Sequence, residues 1–112
     1  MNVSNLEILY AVEAELTSAN EKHPPFASLH EAYAVIKEEL EEAEEELVLA
    51  KRVLNYAWHS IRCDDVDMAL ENIDYVRECA EQLAMEACQV AAMCIKAVQS
   101  ETGRMEDMRG DK

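Results

Sequence analysis

The residues of this chain with the clearest chemical potential lie in a run of glutamates. Seven of the nine residues 38–46 are glutamate. Apolar residues recur at steps of three and four over residues 29–61, which predicts one apolar seam on a long helix. A neighbouring stripe of that helix is apolar except at Glu39, Glu42 and Glu46. Because burying several like charges together costs several kcal/mol unless a cation compensates them, these carboxylates are the first candidates for a metal site.

The next apolar helix carries a second unusual acid. Over residues 83–98 only three side chains are not apolar: Glu86, Gln89 and Lys96. An antiparallel hairpin that turns at residues 63–65 brings the acid level with Glu42 and the amide level with Glu39. Acids from distant parts of the sequence are therefore predicted to meet in one place, although a glutamate that reaches solvent past small neighbours is the alternative.

Such a cluster of oxygen ligands suits a hard divalent cation. Mg²⁺ takes carboxylate oxygens and often completes its shell with water and substrate phosphates, and Mn²⁺ can take its place. The predicted metal ligands are Glu39, Glu42 and Glu86, with Gln89 as a neutral neighbour.

Two helices and a stiff linker precede the hairpin turn in the predicted fold. Helix one covers residues 3 to about 19 and ends before Pro24 and Pro25. Ser28 and Glu31 form a capping box, which fixes the start of a second helix over residues 29–62.

A third helix follows the turn, capped by Asp64 or Asp65, and Gly103 suits the position after its end. The predicted fold is all-α: a three-helix chain with a long antiparallel helical hairpin, forming an oligomeric helix bundle. The predicted domain covers residues 1–103, and residues 104–112 are predicted to be a flexible polar tail.

Composition narrows the function classes. The 112 residues carry a formal net charge of −14, which argues against direct nucleic-acid binding because a polyanion is repelled. No apolar run is long enough to cross a membrane, so no membrane partner is expected. The four cysteines include no Cys-x-x-Cys pair and are expected to be reduced, which predicts a cytoplasmic protein.

Self-association is expected from helix length. Helices two and three are each about 50 Å long at about 1.5 Å per residue, and helix one is roughly half as long. Three such helices cannot cover each other's apolar faces. We therefore predict a homo-oligomer, a dimer or a tetramer, with residues 83–98 central to it.

Two short motifs resemble those of a known enzyme family. The segment Glu38-Glu39-Leu40-Glu41-Glu42 is similar to the first metal motif of the MazG-like all-α nucleoside triphosphate pyrophosphohydrolases. The segment Glu86-Ala-Cys-Gln89 lies where that family carries Glu-x-x-Asp. The sequences of residues 23–31 and 86–93 resemble those of the small phage and prophage members of this family. The resemblance covers roughly residues 20–98.

The resemblance implies an activity and a setting. In that family the acids hold Mg²⁺, a (d)NTP is cleaved to (d)NMP and pyrophosphate, and the enzymes are dimers or tetramers. The resemblance implies that Glu39, Glu42 and Glu86 are catalytic residues as well as metal ligands, and that Gln89 is a weaker ligand or a group that orients water. The expected location is the cytoplasm of a bacterium or a phage-infected host. Two features depart from the family pattern: Gln89 replaces the aspartate, and the gap between the motifs is longer. An intact Glu-x-x-Asp at Glu71 and Asp74 is interpreted as surface acids, because the hairpin register puts it far from Glu39 and Glu42.

Candidate substrate-binding residues lie beside the first motif: Lys22, His23, Phe26 and Lys37. The simpler interpretation of His23 and Phe26 is that they belong to a loop packed against the bundle. Lys37 is suited to pair with Glu41. Two rival functions stay open. One is a non-catalytic acidic helical bundle that binds a nucleotide or, as a phage-type inhibitor, a basic partner. The other is a structural coiled-coil hairpin.

Overall fold

The chain is all-α, as predicted, in a computed structural model that describes residues 4–109. Helix α1 covers Asn5–Lys22, α2 covers Leu29–Arg62 and α3 covers Val66–Arg109, and no strand occurs among the described residues. The bounds of α2 are those predicted from the sequence. Helix α1 continues to Lys22, three residues beyond its predicted end, and its predicted first residues lie outside the described part of the chain.

Side-chain caps begin the first two helices. Ser4 accepts a hydrogen bond from the backbone N–H of Glu7, and the Glu7 carboxylate accepts one from the Ser4 N–H, which completes a capping box. The Ser28 hydroxyl accepts from the Glu31 N–H at 3.1 Å, as predicted. The Glu31 carboxylate reaches one residue further back than expected and accepts from the Ala27 N–H at 2.7 Å. These bonds satisfy backbone donors that a helix leaves free at its N-terminus.

A tight turn joins α2 to α3. Asp64 has φ 57°, a left-handed conformation that aspartate adopts more readily than most residues. The Asp65 N–H donates to the Ser60 carbonyl at 2.9 Å. The Asp65 carboxylate then accepts from the Met68 N–H at 3.2 Å, so Asp65 caps α3, one of the two residues predicted to do so.

The C-terminal end of α3 was wrongly predicted. The helix does not stop at Gly103 but continues to Arg109, so most of the predicted polar tail is helical; the last three residues lie outside the described range. A glycine inside a helix costs only about 1 kcal/mol. Arg104 offsets that cost, since its guanidinium donates to the Phe26 carbonyl and to the Glu101 carboxylate.

The described residues form two compact units. One contains the residues up to Leu40 and those from Ala87 onward, and its buried apolar side chains are Val12, Phe26, Ala32 and Ala92. The other is Glu41–Glu86, and its buried apolar side chains are Val53, Ala57, Ala69 and Cys79. Both cores are built from small or medium-sized side chains, with one aromatic ring in the first unit.

Helix α2 has two apolar stripes, and the predicted main seam is only partly buried. The stripe that carries the glutamates contains Ala32 and Val53, which are 3% and 7% exposed. The main seam contains Ala57, which is 0% exposed, and a row of large apolar side chains at seven-residue spacing, here called the heptad row: Tyr33, Leu40, Leu47, Leu54 and Ile61. These five side chains are 43–66% exposed. The small side chain of the main seam therefore packs inward with the carboxylate stripe, and the heptad row does not.

All four cysteines are free thiols, but they differ in exposure. Cys79 is buried, whereas Cys63 and Cys94 are exposed. Burial and, to a smaller extent, the carboxylates of Glu46 and Glu78 raise the pKa of the Cys79 thiol. Within the described residues, no helix combines the length and the apolar character that a bilayer span requires.

Candidate metal centre

Three of the predicted ligands lie together. Glu39 and Glu42 are one turn apart on α2, and Glu86 belongs to α3. One carboxylate oxygen from each of the three lies within 4.8 Å of the other two. Small side-chain rotations therefore bring an oxygen of each to a single cation. Glu46, the third acid of the same stripe, is half-buried and does not belong to this group.

Glu86 is the most constrained member of the cluster. Its side chain is buried at 8% exposure, in a helix segment of mostly apolar residues. One carboxylate oxygen accepts a hydrogen bond from the Gln82 amide at 3.1 Å. The other, Oε2, is buried and has no hydrogen-bond partner. A charged oxygen left in this state costs at least about 1–3 kcal/mol, so a donor or a cation at Oε2 would stabilise this side chain.

The donor set fits a hard divalent cation. Carboxylate oxygens are the ligands that Mg²⁺ and Mn²⁺ accept, and no thiol or imidazole belongs to the cluster. A bound cation offsets the repulsion among three carboxylates. The residues present therefore fit the cation that the sequence predicts.

Gln89, the fourth predicted ligand, lines a cavity of about 230 Å³ together with Glu39. Lys22 and His23, two of the predicted substrate-binding residues, line the same cavity. His23 also caps the end of α1, where its N–H donates to the Ala19 carbonyl at 2.9 Å. The structure thus places one amide and two basic side chains around one carboxylate of the acidic group.

Phe26 and Lys37, the other two predicted substrate-binding residues, lie in different settings. Phe26 is 7% exposed, so it packs into the core of its unit, as the simpler interpretation of this loop expects. It also lines a cavity of about 380 Å³ with His23 and Glu39. Lys37 is exposed on α2 and lines neither cavity.

The sequence interpretation missed the residues that hold the loop before α2. Lys96 is 3% exposed, its ammonium donates to the His23 carbonyl at 3.5 Å, and it lies 5.1 Å from the centre of the Phe26 ring. The Ser100 hydroxyl accepts from the Phe26 N–H at 3.0 Å. Arg104 donates to the Phe26 carbonyl. These three residues lie on successive turns of α3 and therefore hold the loop beside the cavities.

The alternative acidic motif is exposed, as predicted. The Asp74 side chain is 62% exposed and accepts from Arg77 at 2.9 Å, and Glu81 accepts from the same guanidinium at 2.7 Å. The hydrogen bond and the charge of Arg77 lower the pKa of Asp74. Both carboxylates raise the pKa of Arg77. Asp74, Arg77 and Glu81 therefore form ion pairs on the exposed surface of α3. They do not belong to the cluster of Glu39, Glu42 and Glu86.

Comparisons with known proteins identified no relative of this chain. No protein-family model matches the sequence, and no curated protein or solved structure matches it either. The resemblance to MazG-like enzymes therefore rests on the two short motifs around Glu39, Glu42 and Glu86. Any functional interpretation has to depend on the chemistry of these side chains.

Proposed function

We propose that the chain is a Mg²⁺-dependent nucleoside triphosphate pyrophosphohydrolase that cleaves a (d)NTP to a (d)NMP and pyrophosphate. The observation that carries the proposal is the buried carboxylate of Glu86, whose Oε2 has no hydrogen-bond partner and which has one oxygen within 4.8 Å of a carboxylate oxygen of Glu39 and of Glu42. An acid in this state is expensive unless a cation is bound. The order of the two motifs along the sequence supports the same class of enzyme.

Each group has a defined task in this proposal. Glu39, Glu42 and Glu86 hold the cation, and Gln89 orients water or the substrate. A bound divalent cation polarises phosphoryl oxygens and makes its bound water more acidic. In the net reaction a water oxygen bonds to the α-phosphorus, the bond to the bridging oxygen breaks, and pyrophosphate leaves. The nucleotide occupies the cavities lined by His23, with Lys22 at the rim.

The proposal includes the antiparallel pairing of α2 with α3. Two observations support it: the tight turn at Asp64 and the proximity of the Glu42 and Glu86 carboxylates, which the hairpin register anticipates. A register shift of even two residues moves an acid by about 3 Å along the helix and disperses the cluster. The position of the acids is therefore sensitive to the length of the turn.

Self-association, as a dimer or a tetramer, is also part of the proposal. Many large apolar side chains are exposed on each helix, including Leu9, Leu54 and Val98 at 61%, 54% and 66%. Contiguous apolar patches are rare on monomeric proteins and mark interaction sites, so this number of exposed apolar side chains supports self-association. A second copy is the partner that the sequence already predicts.

Pyrophosphate release tests the catalytic proposal. Wild type is incubated with a panel of NTPs and dNTPs, with Mg²⁺ or with a chelator. We expect Mg²⁺-dependent release, lost in Glu42→Gln and retained in Glu45→Gln, which removes the same charge at an exposed position of the same run. Equal release by wild type and Glu42→Gln contradicts the proposed catalytic role.

A second candidate is a non-catalytic acidic bundle that binds a nucleotide or a basic partner. Gln89 favours it, because an amide replaces the aspartate of the resembled motif and removes one anionic ligand. In this case wild type binds a non-hydrolysable triphosphate in calorimetry but releases no pyrophosphate from any nucleotide. Restoring the carboxylate with Gln89→Asp distinguishes a degraded active site, which gains activity, from a dedicated binding protein, which does not.

A further inference from the structure

The heptad row of α2 is a regular apolar surface without a covering element. Its side chains Tyr33, Leu40, Leu47, Leu54 and Ile61 are 66%, 53%, 43%, 54% and 48% exposed. Strict seven-residue spacing keeps such side chains on one face of a helix and is the repeat of a two-stranded coiled coil. The row therefore has the pattern of an interface rather than of scattered surface residues.

The chain itself covers a neighbouring face of α2. Ala32, Val53, Ala57 and Ser60 are 0–7% exposed and lie about 40–100° around the helix from the nearest members of the heptad row at about 100° per residue. The heptad row thus borders the buried face of α2 and is itself exposed. An apolar row of this length exposed to water is unfavourable, because the removal of apolar surface from water stabilises a protein.

We infer that the heptad row pairs with the same row of a second copy, antiparallel, about a two-fold axis at Leu47. The row is symmetric about this residue: Leu40 and Leu54 are seven residues away, and Tyr33 and Ile61 are fourteen residues away. Leu47 meets the partner's Leu47, and Leu40 meets the partner's Leu54. The ends of the row then pair as Tyr33 with the partner's Ile61, so every member has an apolar counterpart.

Charges beside the row select the antiparallel arrangement. Glu44 and Lys51 each follow a row member by four residues, lie about 40° around the helix from it, and are exposed. They stand three residues before and four residues after Leu47, so each comes level with the other residue type in the antiparallel copy. A parallel pair puts the two copies of Glu44 on opposite flanks of the interface, so it does not form these pairs between Glu44 and Lys51.

The interface is isologous, because the same surface contributes both sides. A closed dimer consumes the whole row and leaves no copy of it free for further growth. The inference rests on the proposed self-association and is independent of the proposed hydrolysis, since none of Glu39, Glu42 and Glu86 belongs to the row.

Charge swaps test this pairing by sedimentation equilibrium of the full chain at low salt. Glu44→Lys and Lys51→Glu each create two like-charge pairs, and each is expected to weaken the dimer at least about tenfold. Combining both changes restores opposite pairs and is expected to return the dissociation constant to within about threefold of wild type. Glu45→Lys and Arg52→Glu are the matched controls; they make the same charge changes about 100° further around the helix and leave the dimer intact.

An apolar probe complements the swaps. Leu47→Asp puts two carboxylates on the two-fold axis and is expected to give a monomer that is still helical by circular dichroism. The control Val48→Asp changes the next residue, which is 49% exposed and lies off the row. A dimer that withstands Leu47→Asp, or single swaps without rescue in the combined variant, overturns the interface. A wild type that is monomeric at 100 µM overturns the interface and the proposed self-association together, and leaves the pyrophosphate assay to decide hydrolysis separately.

Discussion

Glu86 and Lys96 are both charged residues buried in α3, but their surroundings differ. Lys96 donates to the His23 carbonyl and lies over the Phe26 ring, so backbone and aromatic groups of its own unit compensate the ammonium. Glu86 accepts one hydrogen bond from Gln82, and its Oε2 has no partner. One buried charge is thus used to hold the structure, and the other lacks the group that would balance it.

The difference separates a charge that is compensated within the chain from one that is not, and the proposed cation would compensate the second. A buried charge that is satisfied within the chain fixes local geometry and needs no ligand. A buried charge that is left unsatisfied persists because a ligand supplies its partner, or because function requires the strain. The region around Phe26 is therefore expected to respond to changes in packing, and the region around Glu86 to a divalent cation.

Phe26 offers the largest expected effect and tests the structural half of the comparison. Phe26→Ala leaves a cavity under Lys96 and is expected to lower the free energy of unfolding by about 3–5 kcal/mol. Phe26→Leu keeps most of the volume and is expected to cost less than about 1.5 kcal/mol beyond the lost contact with the ammonium. Urea denaturation with and without Mg²⁺ measures both. A loss below about 1 kcal/mol in Phe26→Ala contradicts the core role of this ring.

Glu86→Gln tests the functional half. Without metal the variant is expected to be more stable than wild type by about 1–3 kcal/mol, because it removes an uncompensated buried charge. With Mg²⁺ it is expected to lose at least about 100-fold in pyrophosphate release, more than outer-sphere changes usually cost. Thermal melts in chelator and the nucleotide assay measure the two effects. A metal-free variant that is less stable than wild type shows that the Glu86 charge is compensated within the chain.

Ser100→Ala sharpens the comparison on the side of Lys96. The Phe26 N–H loses its buried acceptor, and the free energy of unfolding is expected to fall by about 1–3 kcal/mol without any change in the response to Mg²⁺. Gln99→Ala, at the exposed neighbouring position, is the control and is expected to stay close to wild type. A Mg²⁺ response that disappears in Ser100→Ala indicates that the two regions are not independent.

Asp74 gives the smallest effect, since its ion pair with Arg77 lies in water. Arg77 lowers the pKa of Asp74 in the folded chain, so the pair stabilises the fold above the ordinary aspartate pKa of about 3.9 and loses that contribution as the pH falls through the lowered pKa. The stability difference between wild type and Asp74→Asn is therefore expected to shrink between pH 5 and pH 2. Glu71→Gln, an exposed acid nearby, serves as the control. A difference that is constant with pH rejects the ionic contribution.

Local signals in the sequence predicted most of the fold. The Ser28 box and the Asp65 cap act on backbone groups within four residues, so the start of α2 and the start of α3 follow directly from residue types. The end of α3 does not follow in this way. Arg104 contacts the Phe26 carbonyl from far along the sequence, and that contact outweighs the local tendency of Gly103 to end a helix.

The candidate site was predictable for a similar reason, and only in part. A carboxylate in an apolar stripe is a local anomaly, and this signal identified Glu42 and Glu86. Lys96 is the other charged residue in the apolar segment of Glu86, so the same signal identifies it. Its partners, the His23 carbonyl and the Phe26 ring, could not be predicted from the sequence. Periodicity also could not decide which side chains of the two α2 stripes are buried, because all of them recur at helical spacing and their burial depends on tertiary contacts.

Manganese binding tests the central claim, a divalent cation shared by Glu39, Glu42 and Glu86, most directly. Titration of Mn²⁺ into the metal-free full chain, followed by electron paramagnetic resonance and calorimetry, is predicted to show one saturable site per chain. That site is predicted to be lost in Glu42→Gln and in Glu86→Gln and retained in Glu45→Gln. Wild type that binds no Mn²⁺, or four proteins that bind it equally, contradicts the account.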